Sequence, residues 1–147
     1  MLRFSKKLDY ALISIFEIAD RNGQLPVSAK SIAMRYEIPL ELLGKVLQTL
    51  AKNGLVTSIQ GVKGGYVLNH SLRDVSILQV VEAIEGPISL TACHNENICL
   101  CNQHTNCNIR TPMAMIQYEL EQFFESISLE ELRNRNLRTH AQLFNRV

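Results

Sequence analysis

The sequence predicts a mainly α fold with a small β-wing: a winged helix-turn-helix followed by a long helix with an apolar stripe. Three observations carry that expectation. Helix, short helix, turn and helix signals fill roughly the first fifty residues, the spacing of a helix-turn-helix. Two β-prone runs, LVTSI and YVLN, follow at once, separated by QGVKGG, whose three glycines permit the positive φ angles of a tight hairpin. Further on, Met113, Ile116, Leu120, Phe123 and Ile127 form an apolar stripe too wide to stand without a partner.

In chain order, Leu8, Ala11, Leu12, Ile15, Phe16 and Ala19 recur at steps of three and four and mark an amphipathic helix from about 5 to 21, stopped by Asn22-Gly23. After QLP, Ser28 is placed to cap a short helix over 29–36. Pro39 suits the first position of a third helix, where its missing N–H costs nothing. Leu43, Val46, Leu47 and Leu50 are that helix's buried stripe, and Asn53-Gly54 ends it. Behind the wing, Ser76 caps a helix through ILQVVEAIE, stopped by Gly86-Pro87. Thr111-Pro112 restarts helix as cap and first turn. Ser128-Leu-Glu-Glu131 reads as a capping box for a last short helix. The domains expected are residues 1–86 for the winged module, 87–111 for a cysteine-rich loop, 112–134 for the dimerisation and capping helices, and 135–147 for a weakly ordered tail.

At 147 residues and 46% hydrophobic, the chain is long enough to bury a core without disulfides. Charges interrupt the apolar residues of MLRFSKKLDYALISIFEIAD, which fits neither a signal peptide nor a membrane span, so a cytoplasmic protein is expected. The net charge of +1 is unevenly spread. Residues 1–75 carry ten Lys and Arg against six Asp and Glu, while residues 76–125 carry one against six. A basic front section suits a polyanion, although a solvated mixed-charge surface looks similar.

In a winged helix-turn-helix the third helix enters the major groove with the face opposite its buried stripe. Here that face offers Glu41, Lys45, Gln48, Thr49 and Lys52. Gln48 and Thr49 are candidates for base edges, and Lys45 and Lys52 for phosphates. Gln60, Lys63 and Tyr66 are the wing's candidates. Each alone is equally consistent with a solvated surface; the ordered series of helices and wing favours duplex DNA as partner.

All four cysteines fall within CHNENICLCNQHTNC, residues 93–107. This segment, taken with LDYALISIFEIA, IPLELLGKVLQTLAKNGLV, GVKGGYVL and VSILQVVEAIEGP in that order, resembles the iron-sulfur-sensing bacterial transcription regulators of the IscR, NsrR and RirA type. The likeness runs from about residue 1 to 132. EGPISLTAC and SISLEEL are most similar to regulators associated with the SUF system of cluster assembly. The resemblance implies a homodimer whose long helix, here about 112–127, crosses its mate, and a repressor-type regulator reading a pseudo-palindromic operator through two wings and two reading helices. The family often has Arg just before the wing's first glycine, where this chain has Gln60.

Thiolates are the usual ligands of iron-sulfur clusters and need a loop able to wrap an inorganic core. Structural zinc sites typically show closely spaced cysteine pairs, a poorer match to C-x5-C-x-C-x5-C, although Cys and His together keep zinc open as the alternative. A thiol redox regulator and a zinc-stapled or metal-free interaction module also stay open. A nucleophilic enzyme is not expected, since no third residue orients the thiols and no glycine-rich phosphate loop is present.

In the family the second and third ligands are commonly five residues apart, so the resemblance points to Cys93, Cys101 and Cys107 and leaves Cys99 as the alternative. Three thiolates leave one iron site for another group. In the nitric-oxide-sensing branch an Asp on the first helix reaches the partner's cluster, and Asp9 matches that position, although a carboxylate there equally suits the positive end of its own helix or a solvated surface. His104 is a weaker candidate. Two-iron relatives carry His three residues after the third Cys, where this chain has Arg110, so a four-iron cluster is expected.

Overall fold

The computed structural model describes residues 3–21, 25–91, 102–103 and 105–134. Asn22 and Gly23, the cysteine-segment residues 92–101 and 104, and the tail 135–147 lie outside them. Helix α1 runs over Lys6–Asp20, α2 over Ala29–Tyr36 and α3 over Leu40–Lys52. Strands β1, Val56–Ile59, and β2, Gly65–Leu68, follow; α4 spans Ile77–Glu85 and α5 Arg110–Ser126. Residues 129–134 are also helical.

The helix starts follow local chemistry. The hydroxyls of Ser5, Ser28 and Ser76 accept from backbone amides two or three residues ahead, satisfying donors that have no partner inside the helix. At α4 the cap is reciprocal, because the Ser76 amide donates to Gln79 Oε1 at 2.8 Å. Pro39 proves to be the N-cap of α3 rather than its first helical residue. Its carbonyl accepts the Leu43 amide at 3.0 Å.

A larger difference lies at α5, which begins at Arg110, one residue ahead of the expected Thr111 cap, with no side-chain cap. Pro112 therefore falls at the third helical position. That is tolerated because the first four amides of a helix lack intrahelical acceptors in any case.

One cluster of buried hydrophobics holds these elements together. Leu8, Ala11, Ile15 and Ile18 of α1 meet Leu43, Val46, Leu47 and Leu50 of α3 and Val80 and Val81 of α4. Fully burying each large aliphatic side chain contributes roughly 1.5–3 kcal/mol. Leu129 belongs to the same cluster, so the chain returns from α5 to the winged module. Backbone bonds from Leu129 to Val75 and from Glu130 to Leu72 fix that return, as does the Arg73–Glu130 ion pair at 2.6 Å. Glu131 donates its amide to Ser128 Oγ, one half of the expected capping box.

Strands β1 and β2 form an antiparallel hairpin with Val56 opposite Leu68 and Ile59 opposite Gly65. Gly61 turns it at φ +117°. Gly64 is required for room, because a Cβ there would run into the carbonyl oxygens of Ile59 and Gly61. Two further contacts set the hairpin's place. Val27, just ahead of α2, exchanges backbone bonds of 3.0 and 2.9 Å with Tyr66. Asn69 donates to the Gly54 carbonyl at 2.7 Å and accepts from Thr57 Oγ1 at 2.6 Å. The wing is thereby pinned to both the start of α2 and the end of α3.

Candidate nucleic-acid interface and cysteine segment

Helix α3 buries Leu43, Val46, Leu47 and Leu50 and turns its other side outward. Glu41, Lys45, Gln48 and Lys52 are all exposed there, on one continuous face. Thr49 is different. It is half-buried, its hydroxyl donates to the Lys45 carbonyl at 2.9 Å, and it lines a small cleft with Lys7, Leu42 and Ile84. Gln60 and Lys63 are exposed on the wing; Tyr66 is half-buried with its backbone committed to Val27. Between wing and α2 a cleft of about 370 Å³ is lined by Arg21, Ser28, Ser31 and Lys63, so two cations flank the start of α2.

A left-handed turn joins α2 to α3, and a buried carboxylate ties α2 to α1. Glu37 closes α2 in the left-handed region, φ 54° and ψ 38°, and the Ile38 amide donates back to Ala33 at 3.0 Å. Glu17 of α1 is buried, with its side chain 3% exposed. It accepts from Arg35 Nη1 and from the Tyr36 hydroxyl, each at 2.9 Å, while Arg21 Nε lies at 3.7 Å. Partial burial, then the bond to Glu17, raise the Tyr36 phenol above its ordinary 10.0. Three residues of α1 and α2 thus fasten the first helix to the end of the second. Sequence reading missed this group, since the partners stand 18 and 19 positions apart in no recognisable motif.

Of the cysteine segment, Cys107 is described: half-buried, its thiol free, three residues ahead of α5. Cys93, Cys99, Cys101 and His104 lie outside the described residues, among which no cluster of three His, Cys, Asp or Glu side chains is poised for a metal. Asp9 is half-exposed on α1 and pairs within its own chain to Lys6 Nζ at 3.1 Å.

The flanks of the segment are well defined. Gln117 of α5, 1% exposed, accepts the Leu90 amide at 2.9 Å and donates to the Ile88 carbonyl at 2.6 Å and to Glu121 Oε1 at 2.5 Å. Two turns on, Glu125 Oε2 accepts from Ser76 Oγ at 2.6 Å. The stretch entering the cysteines is thus fastened to the helix leaving them, and that helix is fastened to the cap of α4.

A helix-turn-helix pinned to a glycine hairpin, with an outward third helix carrying amide and ammonium groups, defines a winged-helix DNA-binding transcription regulator. The chain belongs to the Rrf2 family, described as iron-dependent transcriptional regulators, whose profile matches residues 4–135. It is 34% identical over 110 residues to the protein rrf2 of Nitratidesulfovibrio vulgaris, covering 75% of this chain and 73% of that one. The HTH-type transcriptional regulator IscR of Pectobacterium carotovorum is 29% identical over 133 residues, 90% of this chain and 80% of its own. Among solved structures, CymR, the global cysteine regulator of B. subtilis, superimposes with a TM-score of 0.70 at 30% identity, covering 90% of this chain and 96% of that one. IscR of T. potens does so at 0.66 and 26%, covering 97% and 92%. These relatives are regulators rather than enzymes. No helix among the described residues is long and apolar enough to cross a membrane.

Proposed function

We propose that this chain is a homodimeric, cytoplasmic repressor whose operator affinity is set by an iron-sulfur cluster bound to its cysteine segment. The observation that carries the reading is positional. Every cysteine of the chain falls in residues 93–107, between α4 and α5, in a member of a family described as iron-dependent. The donor chemistry fits the group: thiolates on a segment without apolar periodicity, and a free thiol at Cys107.

Cys93, Cys101 and Cys107 would hold the cluster, with Asp9 of a second copy as a further ligand; Cys99 is the alternative and His104 a weaker candidate. When bound, a four-iron cluster supplies a centre that oxidants, nitric oxide or iron loss can alter. The chain's own part is mechanical. A change in the cysteine segment acts on Ile88 and Leu90, which Gln117 ties to α5, and Glu125 carries α5 to Ser76 and α4. Helix α4 packs on α1 and α3, so the position of the reading helix follows. Such coupling requires that the cluster bind the DNA-competent and incompetent arrangements with different free energies.

Dimerisation is supported by α5, on which Met115, Ile116, Tyr118 and Phe123 are each at least 50% exposed. Two copies crossing along this helix would cover them.

Anaerobically purified protein should be brown, with a sulfur-to-iron absorption band. Cys101→Ala should abolish the colour and Cys99→Ala should leave it; the reverse would make Cys99 the second ligand and Cys101 the spare. Colourless protein with stoichiometric zinc would overturn the cluster reading.

A further inference from the structure

Gly44 sits in the middle of α3, where glycine destabilises a helix relative to alanine. The fold gives no reason for it. Its φ is not positive, and a Cβ built on it meets nothing within 4 Å. Its place on the helix is informative. Leu40 and Glu41 lie one turn before it, Gln48 one turn after, and all three are exposed. Gly44, itself half-buried, is therefore a bare gap at the edge of the face that α3 turns outward, on the side opposite Thr49. One wall of the gap is apolar, since Leu40 is 49% exposed at the first helical position.

In a helix lying in a major groove, the N-terminal residues meet base edges, and the one apolar group presented there is the C5-methyl of thymine. We propose that the notch over Gly44, walled by Leu40, receives the methyl group of one operator thymine, and that the missing side chain admits it. Gly44 and Leu40 then determine specificity by shape and apolar contact, beside the polar reading of Gln48. The proposal rests on α3 being the reading helix and is independent of what the cysteines bind.

The test starts from a duplex selected out of a random-sequence pool by the anaerobically purified full chain. Each thymine of that duplex is replaced singly by deoxyuracil, which keeps the base pair and removes only the methyl. Wild-type affinity should fall roughly fourfold at one thymine, the factor for losing one buried methyl group. Gly44→Ala should melt at a higher temperature, bind the thymine duplex more weakly than wild type, and bind the matching uracil duplex better than the thymine one, because the new Cβ occupies the methyl's place. A scan with no thymine at which wild type and Gly44→Ala respond differently would overturn the proposal, as would unchanged affinity of Gly44→Ala for the selected duplex. Lys45→Ala separates the underlying premise. If it weakens every duplex while the scan is flat, α3 lies at the DNA and the notch alone is wrong; if it and Gly44→Ala both leave every affinity unchanged, α3 is not the reading helix.

Discussion

Gln117 Oε1 accepts the Leu90 amide at 2.9 Å from a side chain that is 1% exposed, bridging 27 positions across the cysteine segment. Its amide nitrogen is also engaged, with Ile88 and Glu121. Leucine at this position would leave the Leu90 N–H and the Ile88 carbonyl without partners. Gln117→Leu should lower unfolding free energy by about 2–3 kcal/mol, measured by denaturant titration. Loss of hydrogen-exchange protection at the Leu90 amide should accompany it.

The Glu17 carboxylate anchors α2 to α1 through two bonds of 2.9 Å. Glu17→Gln should cost about 1–2 kcal/mol, the half-exposed Arg35 limiting the ionic part. Tyr36 supplies a pH signature. Its phenol is raised above 10.0 in the fold, so the folded state holds this proton more tightly than the unfolded chain does. The stability this confers is complete below the ordinary value and is lost as pH rises through the raised one. Tyr36→Phe should therefore remove part of the alkaline loss of stability, seen in melting curves above pH 10, without changing the acid side.

At Glu37 a side chain occupies the left-handed region, φ 54°, where a Cβ crowds the following carbonyl. Glu37→Gly should relieve that strain and raise stability by up to about 1 kcal/mol, whereas Glu37→Val should lower it. Thermal melting of the two variants distinguishes relief of backbone strain from mere removal of a charge, which both share.

Lys45, Lys52 and Lys63 stand exposed on α3 and the wing. A lysine on a phosphate releases a counterion when DNA binds. Each Lys→Ala substitution should thus flatten the slope of log affinity against log salt by about 0.9 and weaken all duplexes alike. Gln48→Ala should instead lower discrimination among sequences while leaving the salt slope unchanged.

Local chemistry made much of this fold legible in advance. The stripe Leu43, Val46, Leu47 and Leu50 is buried as its period requires, and Ser28 and Ser76 cap the helices that follow them. Thr111-Pro112 is a cap signal by composition, yet α5 starts at Arg110, because proline is also tolerated at the third helical position, where its missing N–H has no intrahelical acceptor. Pairings distant in sequence left no trace to read. Val27 is one residue of a turn until Tyr66 bonds to it, and Glu17 looks like an ordinary polar residue of α1 until Arg35 and Tyr36 arrive. In the candidate site, the outward placement of Glu41, Lys45, Gln48 and Lys52 follows from helical period alone. Thr49 falls at the boundary of that face and spends its hydroxyl on its own helix. The cysteines announce themselves by clustering, but spacing cannot rank four thiols, and the order proposed for them leans on family likeness.

On the proposed function, the occupant of the cysteine segment governs DNA binding through α5. The most direct test is an anaerobic titration of a fluorescent duplex, selected by this protein, with cluster-loaded and cluster-free preparations side by side. The two affinities should differ at least tenfold, with a smaller difference in Gln117→Leu, in which the tie between residues 88–90 and α5 is cut. Equal affinities for the loaded and empty wild-type protein would contradict the proposed function.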